Sequence, residues 1–267
     1  MTSHRYRDPN QYSQNNALQY TFAMQLFDRL CLDSKSSVLD LGCGDGLITN
    51  KIASIVKEGF VIGTDISRPM IEFAARQYSA KNNLRFLTMD AADNLFRDQF
   101  DIITSFNCLH WIKEQQKVLH GIAQAAVPGA SIGLLLSHRK SIYHDTLERL
   151  CSNPKWAVYF ENFSNPRCFF ALEEYEKMLV HAGLTIHHLV EEKITYHFKS
   201  KDELKGFFNA SGAHINQIQE WRKQEFLEDF VSSYLAHVEC RDNSIPVTFW
   251  CLKILASKPA CIHAPIY

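Results

Sequence analysis

The chain has 267 residues, 46% of them apolar, and this is typical of a globular protein with one large α/β domain or two smaller ones. Its 28 basic and 29 acidic residues nearly balance, which argues against nucleic acid or an acidic membrane as a partner. No apolar run approaches the ~18 residues that span a bilayer. A polar start and eight scattered cysteines without a CxxC pair predict a cytoplasmic protein with free thiols.

The first 36 residues are predicted to be helical. Tyr12, Asn16 and Gln19 follow the spacing i, i+4, i+7, which places three hydrogen-bonding side chains on one helical face. Residues 18–27 continue an amphipathic pattern that we expect to end near Leu32. Taken alone, these residues favour a solvated helix that packs on a sheet over a functional site.

The most informative stretch of the sequence is residues 37–46. An aliphatic run ends in Asp40, glycines follow at alternate positions, and residues 47–56 resemble an amphipathic helix. This order predicts a strand, a tight turn and a helix, with a ligand crevice at the carboxyl end of the strand. A dinucleotide fingerprint would require glycine where Leu47 stands, so the pattern D-x-G-x-G-x-G favours a ligand with a cation over a pyrophosphate. The glycines, which leave room for a ligand against the backbone, are Gly42, Gly44 and Gly46.

Two further predicted strands also end in an acid. Residues 60–66 contain Asp65, 19 residues after Gly46, where a carboxylate is placed to bind both hydroxyls of a ribose. A turn or helix-capping role is the alternative for this aspartate. Residues 84–90 end in Asp90, so that three acids recur with a period of 25 residues. Parallel strands would bring these acids to one edge of a sheet.

The remaining pattern predicts a Rossmann-like α/β fold. Its seven-stranded, mainly parallel sheet has an antiparallel last strand and helices on both faces. The further strands are expected at 100–106, 130–137, 185–198 and 247–256, with a helix at 114–127.

Two aromatic-rich helical stretches interrupt this plan, at 138–170 and 199–245. Both follow the carboxyl ends of strands, so we expect them to form a cap over the crevice, with some aromatics lining an apolar pocket. The expected organisation is a helical segment over the active site at 1–36, a core at 37–137, cap insertions at 138–170 and 199–245, the rest of the sheet at 171–198 and 246–258, and a loose tail at 259–267.

Several motifs together resemble class I S-adenosylmethionine (AdoMet) methyltransferases. They are residues 38–46, Gly63–Ser67 with Met70, Phe100–Asp101 and Cys108–Trp111. Beyond this core, the Y-x-x-x-N-x-x-Q spacing, the C-L-H-W element and residues 153–157 resemble juvenile hormone acid methyltransferases, and the likeness spans residues 6–257. Trans-aconitate and malonyl-carrier methyltransferases share the core. All three groups methylate a free carboxylate.

The resemblance implies AdoMet as the cofactor and assigns roles to individual residues. Asp65 is expected at the ribose and Asp90 at the adenine amine. Gln19 and Trp111 are expected to hold the substrate carboxylate, with His110 and Tyr12 close by, and no metal is expected. From the residues alone, Trp111 and His110 fit equally a packing residue and a loop-shaping residue. The expected cofactor-binding residues are Asp40, Gly42, Cys43, Gly44, Gly46, Asp65, Ile66, Met70, Asp90, Ala91 and Asn107.

Carboxyl methylation suits a site that offers no evident general base. A carboxylate is already an anion at neutral pH, and holding the reactants in line supplies about 7–11 kcal/mol. We therefore expect a small, apolar carboxylic acid as the partner, such as a farnesoic-like or fatty acid, and a monomer or homodimer. The alternatives are trans-aconitate or a malonyl-carrier protein, an amine acceptor, and a protein that binds AdoMet without catalysis. An acid with several carboxylates would require cations such as Arg139, Lys140, Arg167 and Arg222.

Overall fold

The chain folds around one seven-stranded sheet. The computed structural model describes residues 8–240, 242 and 244–260, so the polar start and the end of the expected loose tail lie outside the described residues. The strand order is β3-β2-β1-β4-β5-β7-β6. The strands are β1 (Ser37–Leu41), β2 (Phe60–Asp65), β3 (Leu84–Thr88), β4 (Phe100–Phe106), β5 (Ala126–Arg139), β6 (Thr185–Phe198) and β7 (Ile245–Ser257).

The sheet confirms the predicted fold class. Strands β1 to β5 pair in parallel, and β7 inserts antiparallel between β5 and β6. Strand β1 lies in the interior of the sheet, between β2 and β4, and is buried along its whole length, as a strand covered on both faces must be. In the register, Asp40 pairs with Gly63 and Asp65 pairs with Thr88. The three predicted acids therefore lie at or near the ends of three adjacent strands. Asp65 lies two residues beyond the register partner of Asp40, and Asp90 lies two residues beyond the register partner of Asp65.

Helices cover both faces of the sheet. Side chains of α5 and α7 join one buried cluster with the sheet, and those of α2 and α3 join a cluster on the other face. None of the described helices is long and apolar enough to cross a membrane. The helices are α1 (Pro9–Gln14), α2 (Ala17–Phe27), α3 (Leu47–Ile55), α4 (Arg68–Gln77), α5 (Gln115–Ala125), α6 (Ile142–Cys151), α7 (Leu172–His181), α8 (Lys201–Ser211) and α9 (Lys223–Leu235).

The N-terminal segment is broken where one continuous face was predicted. Helix α1 ends at Gln14 and α2 begins at Ala17, so Tyr12 and Gln19 do not share a helix. Helix α2 also ends at Phe27, before the expected Leu32. The break has a local cause, because the Asn16 amide bonds to a side chain outside the helix, and Asn side chains compete with helical backbone bonds.

The stretch 138–170 is only partly helical, contrary to expectation. It contains α6 and a short 3₁₀ turn at Ala157–Tyr159, whereas residues 163–171 form neither helix nor strand. Pro166 lies in this stretch and has no backbone N–H to donate to a helix. We call residues 163–171 the strap. Helices α6, α8 and α9, which we call the cap helices, pack their aromatic side chains into one cluster with α2 and the sheet.

Candidate active site

The glycine turn after β1 has the backbone geometry that the sequence predicted. Gly42, Gly44 and Gly46 all have positive φ angles, of 73°, 57° and 80°, which side-chain-bearing residues rarely adopt. A Cβ atom on Gly42 would also lie 2.1 Å from the Cys108 sulfur, so no side chain fits there. A Cβ atom on Gly44 would meet nothing nearer than the Tyr12 ring, at 3.7 Å. Close packing therefore requires glycine at position 42, whereas at position 44 a Cβ atom would make only ordinary van der Waals contacts.

Asp40 is the most deeply buried of the three predicted acids. Its side chain is 2% exposed and accepts hydrogen bonds from the hydroxyls of Thr49, at 2.6 Å, and Thr104, at 2.8 Å. Burial raises the pKa of Asp40 from 3.8 to about 6, against the lowering effect of both threonines. The turn therefore holds a carboxylate whose ionisation is opposed by its surroundings.

Asp65 is the last residue of β2, and Asp90 lies two residues after the end of β3. Asp65 accepts backbone hydrogen bonds from Gly44, at 3.1 Å, and Ser67, at 2.8 Å, and burial raises its pKa. It thus already fills the alternative role of a turn aspartate, while its contact with Gly44 keeps it beside the glycine turn. Asp90 accepts a bond from the Ala92 amide at 2.9 Å. Their predicted roles at ribose and adenine stay predictions, as do those of the neighbouring Ile66, Met70 and Ala91.

A first cavity, open to solvent, lies between the glycine turn and the N-terminal helices. Asp40, the glycine turn, Tyr12 and Gln19 all line it. The Tyr12 ring lies close to Gly44, and its role near the substrate carboxylate stays a prediction. The predicted cofactor residues that line this cavity are Asp40, Gly42, Cys43, Gly44 and Asn107.

A second cavity, also open to solvent, adjoins the first. Gln19 and Asn107 line both cavities and so mark the boundary between them. No carboxylate is present among the described residues that line the second cavity. Its apolar walls are Leu18, Phe22, Phe207, Phe249 and Cys251, and its polar groups are Gln19, Asn107, His110, Trp111, Ser137, Arg167 and Ser211.

A hydrogen bond to its backbone carbonyl holds Gln19 at this boundary. The Asn107 side-chain amide donates to the Gln19 carbonyl oxygen at 3.0 Å, and Asn107 itself adopts a left-handed φ of 55°. The Gln19 side chain is 9% exposed, and its Oε1 atom has no hydrogen-bond partner among the described residues. Since buried polar atoms are nearly always paired, this amide is suited to a bound molecule.

His110 and Trp111 enter the second cavity from a 3₁₀ turn after β4. The His110 Nδ1 atom accepts a bond from the Ser137 amide at 3.3 Å, so a neutral ring carries its proton on Nε2. The Arg167 guanidinium lies 4.3 Å from the centre of the Trp111 ring. Three of the four predicted catalytic residues, Gln19, His110 and Trp111, thus line one cavity.

Comparison with known proteins identifies this arrangement. Residues 38–129 match the family described as methyltransferase domain. Protein 235L of Invertebrate iridescent virus 6 is 29% identical over 85% of this chain and 84% of its own. Juvenile hormone acid O-methyltransferase of Drosophila melanogaster is 26% identical over 74% of this chain and 71% of its own. The chain is a class I AdoMet-dependent methyltransferase. Its fold also matches phosphoethanolamine N-methyltransferase 2 of Haemonchus contortus, with a TM-score of 0.60, 16% identity and coverage of 94% and 56% of the two chains.

The first cavity of this methyltransferase fits AdoMet. AdoMet carries a sulfonium and an ammonium cation, and the carboxyl groups of Asp40 and Asp45 both line the cavity. Burial raises the pKa of each carboxyl group, and a nearby cation favours their charged forms. Gly44 also lines the cavity, and without a side chain it leaves its backbone accessible to a ligand there. These groups would hold the cofactor, which supplies an electrophilic methyl group when bound.

Asp45 and Asn16 line the first cavity and Arg167 lines the second, although none of them was predicted as a site residue. The Asn16 amide donates to Asp45 at 2.6 Å, which ties the start of α2 to the glycine turn. Both residues lay within motifs that the sequence showed, Asp45 between two glycines and Asn16 within the N-terminal spacing. Arg167 was named only as one of four candidate cations, because its place depends on a strap without regular structure.

Proposed function

We propose that this methyltransferase O-methylates the free carboxylate of a small organic acid with an apolar body. The observation that carries the proposal is the lining of the second cavity, which combines the neutral amide of Gln19 with apolar walls and no acidic side chain. An ammonium acceptor would favour a carboxylate in this lining, whereas the lining carries the cation of Arg167. The named activity of the Drosophila relative, acid O-methylation, agrees with this proposal.

In the proposed reaction the protein has to position the two reactants and provide suitable electrostatics, and it needs no general base. A carboxylic acid with a pKa of 4 to 5 is ionised at neutral pH, so its oxygen attacks without a general base. The Gln19 amide carries an acceptor, the Oε1 atom that has no partner among the described residues, and a donor N–H group. Its N–H group is the part that can hold one carboxylate oxygen, because two acceptors do not bond to each other. His110 can donate from Nε2. Apolar walls exclude water from a reaction in which opposite charges cancel.

The test is methyl transfer from labelled AdoMet to a panel of acids. The panel contains farnesoic acid, long-chain fatty acids, trans-aconitate and malonyl-carrier protein, with the corresponding methyl esters as controls. Base-labile label on a free acid, and none on its ester, is the expected result. Absence of label on every acid, with AdoMet binding shown by calorimetry, would contradict the proposal and favour an amine acceptor or a protein that binds AdoMet without catalysis.

A further inference from the structure

Arg167 reaches the second cavity because the strap is pinned to the turn that carries Trp111. The Cys168 amide donates to the His110 carbonyl oxygen at 2.8 Å. The Asn165 side chain accepts from the Arg167 amide at 3.0 Å, which turns the backbone immediately before it. These two bonds place the Arg167 side chain beside the turn, where its guanidinium lies over the Trp111 ring.

The guanidinium of Arg167 is oriented by aromatic rings. Its central carbon lies 4.3 Å from the centre of the Trp111 ring and 6.0 Å from that of Phe249. Stacking uses the flat face of a guanidinium, whereas its N–H donors point outward in its plane and match the two oxygens of a carboxylate. Trp111, Phe249 and Arg167 all line the second cavity. The geometry therefore favours an in-plane anion there.

Arg167 also supplies the fixed positive charge of this region. Burial lowers the pKa of His144 well below its usual range, and the nearby Arg167 charge lowers it further. His144 is therefore neutral at physiological pH, while the guanidinium stays charged. The positive charge of Arg167 likewise lowers the pKa of Cys251, which lines the cavity, although burial raises it more.

The other three cations that the sequence singled out have different surroundings. Arg139 pairs with Glu191 at 2.9 Å, and Lys140 pairs with Glu148 at 2.6 Å. Arg222 pairs with Glu225 at 2.9 Å. Of these four cations, Arg167 is the one that lines the second cavity.

We propose that Arg167 binds the acceptor's carboxylate and thereby distinguishes the acid substrate from its ester product. This inference rests on the proposed carboxyl methylation. In that reaction a carboxylate oxygen forms a bond to the methyl carbon, the carbon–sulfur bond breaks, and its electron pair remains on sulfur. No proton moves, and both charges disappear. The neutral ester therefore loses its attraction to Arg167 and leaves the cavity more readily than the acid.

This role has a kinetic signature. The attraction to Arg167 is strongest for the full negative charge of the bound acid and weakens as the oxygen becomes alkylated. An interaction of this kind stabilises the ground state at least as well as the transition state, so it lowers KM without raising kcat. Gln19, at the boundary of the cavities, is expected to affect kcat instead.

The variant Arg167→Gln tests the inference, with Arg222→Gln as the matched control. Arg222 also lies 4.3 Å from the centre of a tryptophan ring, that of Trp156, but it does not line the second cavity. With farnesoic acid, or the panel acid that wild type esterifies fastest, Arg167→Gln should raise KM about 10- to 100-fold. We expect kcat to stay within about threefold and AdoMet affinity to be unchanged. Arg167→Lys should restore part of the loss, and Arg222→Gln should behave as wild type.

A binding measurement on the wild type needs no variant. In the presence of S-adenosylhomocysteine, calorimetry should show tighter binding of the acid than of its methyl ester, and Arg167→Gln should abolish the difference. Equal affinity of wild type for acid and ester, or an unchanged KM in a folded Arg167→Gln, would overturn the role of Arg167 and leave carboxyl methylation standing. If wild type esterifies none of the acids, both proposals are wrong.

Discussion

Asp40, Asp45 and Asp65 surround one glycine turn, and burial raises the pKa of each carboxyl group. Each pays a desolvation penalty when it ionises, and the hydrogen bonds it accepts offset only part of that penalty. A cationic cofactor in the first cavity would favour the ionised forms. The free energy of unfolding of the ligand-free protein is thus lower than it would be without these buried carboxyl groups. The site keeps them because binding of a cation requires their charges.

Asp40→Asn should stabilise the ligand-free protein at neutral pH. The pKa of Asp40 is about 6 in the folded protein against 3.8 as its ordinary value, so between these values the folded state binds more protons than the unfolded state. Stability therefore falls as the pH rises through this window, by about 3 kcal/mol when complete. Asparagine does not ionise and escapes this loss. Urea denaturation should show the variant more stable than wild type at pH 7.5 and similar to it at pH 4.

The comparison with Asp93→Asn, a substitution at an exposed site, separates this effect from a general change in charge. If the difference in free energy of unfolding between wild type and Asp40→Asn did not depend on pH, the raised pKa of Asp40 would not be its cause. The same substitution removes a negative charge from the first cavity. We therefore expect weaker binding of AdoMet although the protein itself becomes more stable.

Gln19→Ala should impair turnover more than cofactor binding. Gln19 lines both cavities, and its buried Oε1 atom has no partner among the described residues. Loss of the amide removes the proposed neutral anchor of the carboxylate, and we expect kcat to fall about 10- to 100-fold, as for a lost hydrogen bond to a charged group. Calorimetry with S-adenosylhomocysteine checks binding. A loss confined to cofactor affinity would show that Gln19 serves the first cavity instead.

At the residue scale, short motifs were sufficient to predict local structure, whereas the chemical roles of their residues stay predictions. The positions of Asp40 and the glycines follow from the motif after β1, and the N-terminal spacing singled out Gln19. The spacing could not show that Tyr12 lies beside Gly44, because a break between two helices redirects the chain.

At the scale of elements, the N-terminal helices are joined to the glycine turn by one buried bond. The Asn16 amide donates to the Asp45 carboxylate at 2.6 Å, and both side chains are less than a tenth exposed. Asn16 also stands at the break between α1 and α2, so a single side chain sets the direction of α2 and supports a buried charge. The bond therefore joins the start of α2 to the glycine turn, and both of its residues line the first cavity.

Asn16→Ala should therefore destabilise the protein and loosen the cofactor. Removing a donor from a buried carboxylate costs about 1–3 kcal/mol, and the pKa of Asp45, already raised by burial, should rise further. We expect a lower urea midpoint and faster dissociation of S-adenosylhomocysteine in a stopped-flow experiment. Asn10→Ala, on the exposed side of α1, is the matched control. Equal dissociation rates in the two variants would contradict the proposed link.

The strap shows why one element of the site could not be predicted. Its aromatic composition suggested helix, but residues 163–171 are irregular and held by contacts with distant parts of the chain, such as the bond from Cys168 to His110. Such contacts leave no periodic pattern in the sequence. Because they determine the position of Arg167, that position could not be predicted.

Across the whole molecule, the sheet was predictable and the packing of the cap was not. The βα units carry local signals, namely strands that end in an acid, helix periodicity and short connections, and these fix a parallel sheet. The cap helices meet only through tertiary contacts. Five aromatic rings surround Tyr143 at centroid distances of 5.1–6.2 Å, and they belong to Phe207, Phe208, Phe230, Tyr234 and Phe249.

Because this cluster joins the cap helices to α2 and the sheet, we expect the cap and the core to unfold as one unit. Phe230 is fully buried and lies 4.5 Å from Phe208 between ring centres, so Phe230→Ala should lower the free energy of unfolding by about 3–5 kcal/mol. Near- and far-ultraviolet circular dichroism should follow one coincident transition in wild type and variant. Trp221→Ala, at a ring 77% exposed in the same region, should change stability by less than about 0.5 kcal/mol. Two separate transitions in Phe230→Ala would show instead that the cap unfolds independently of the sheet.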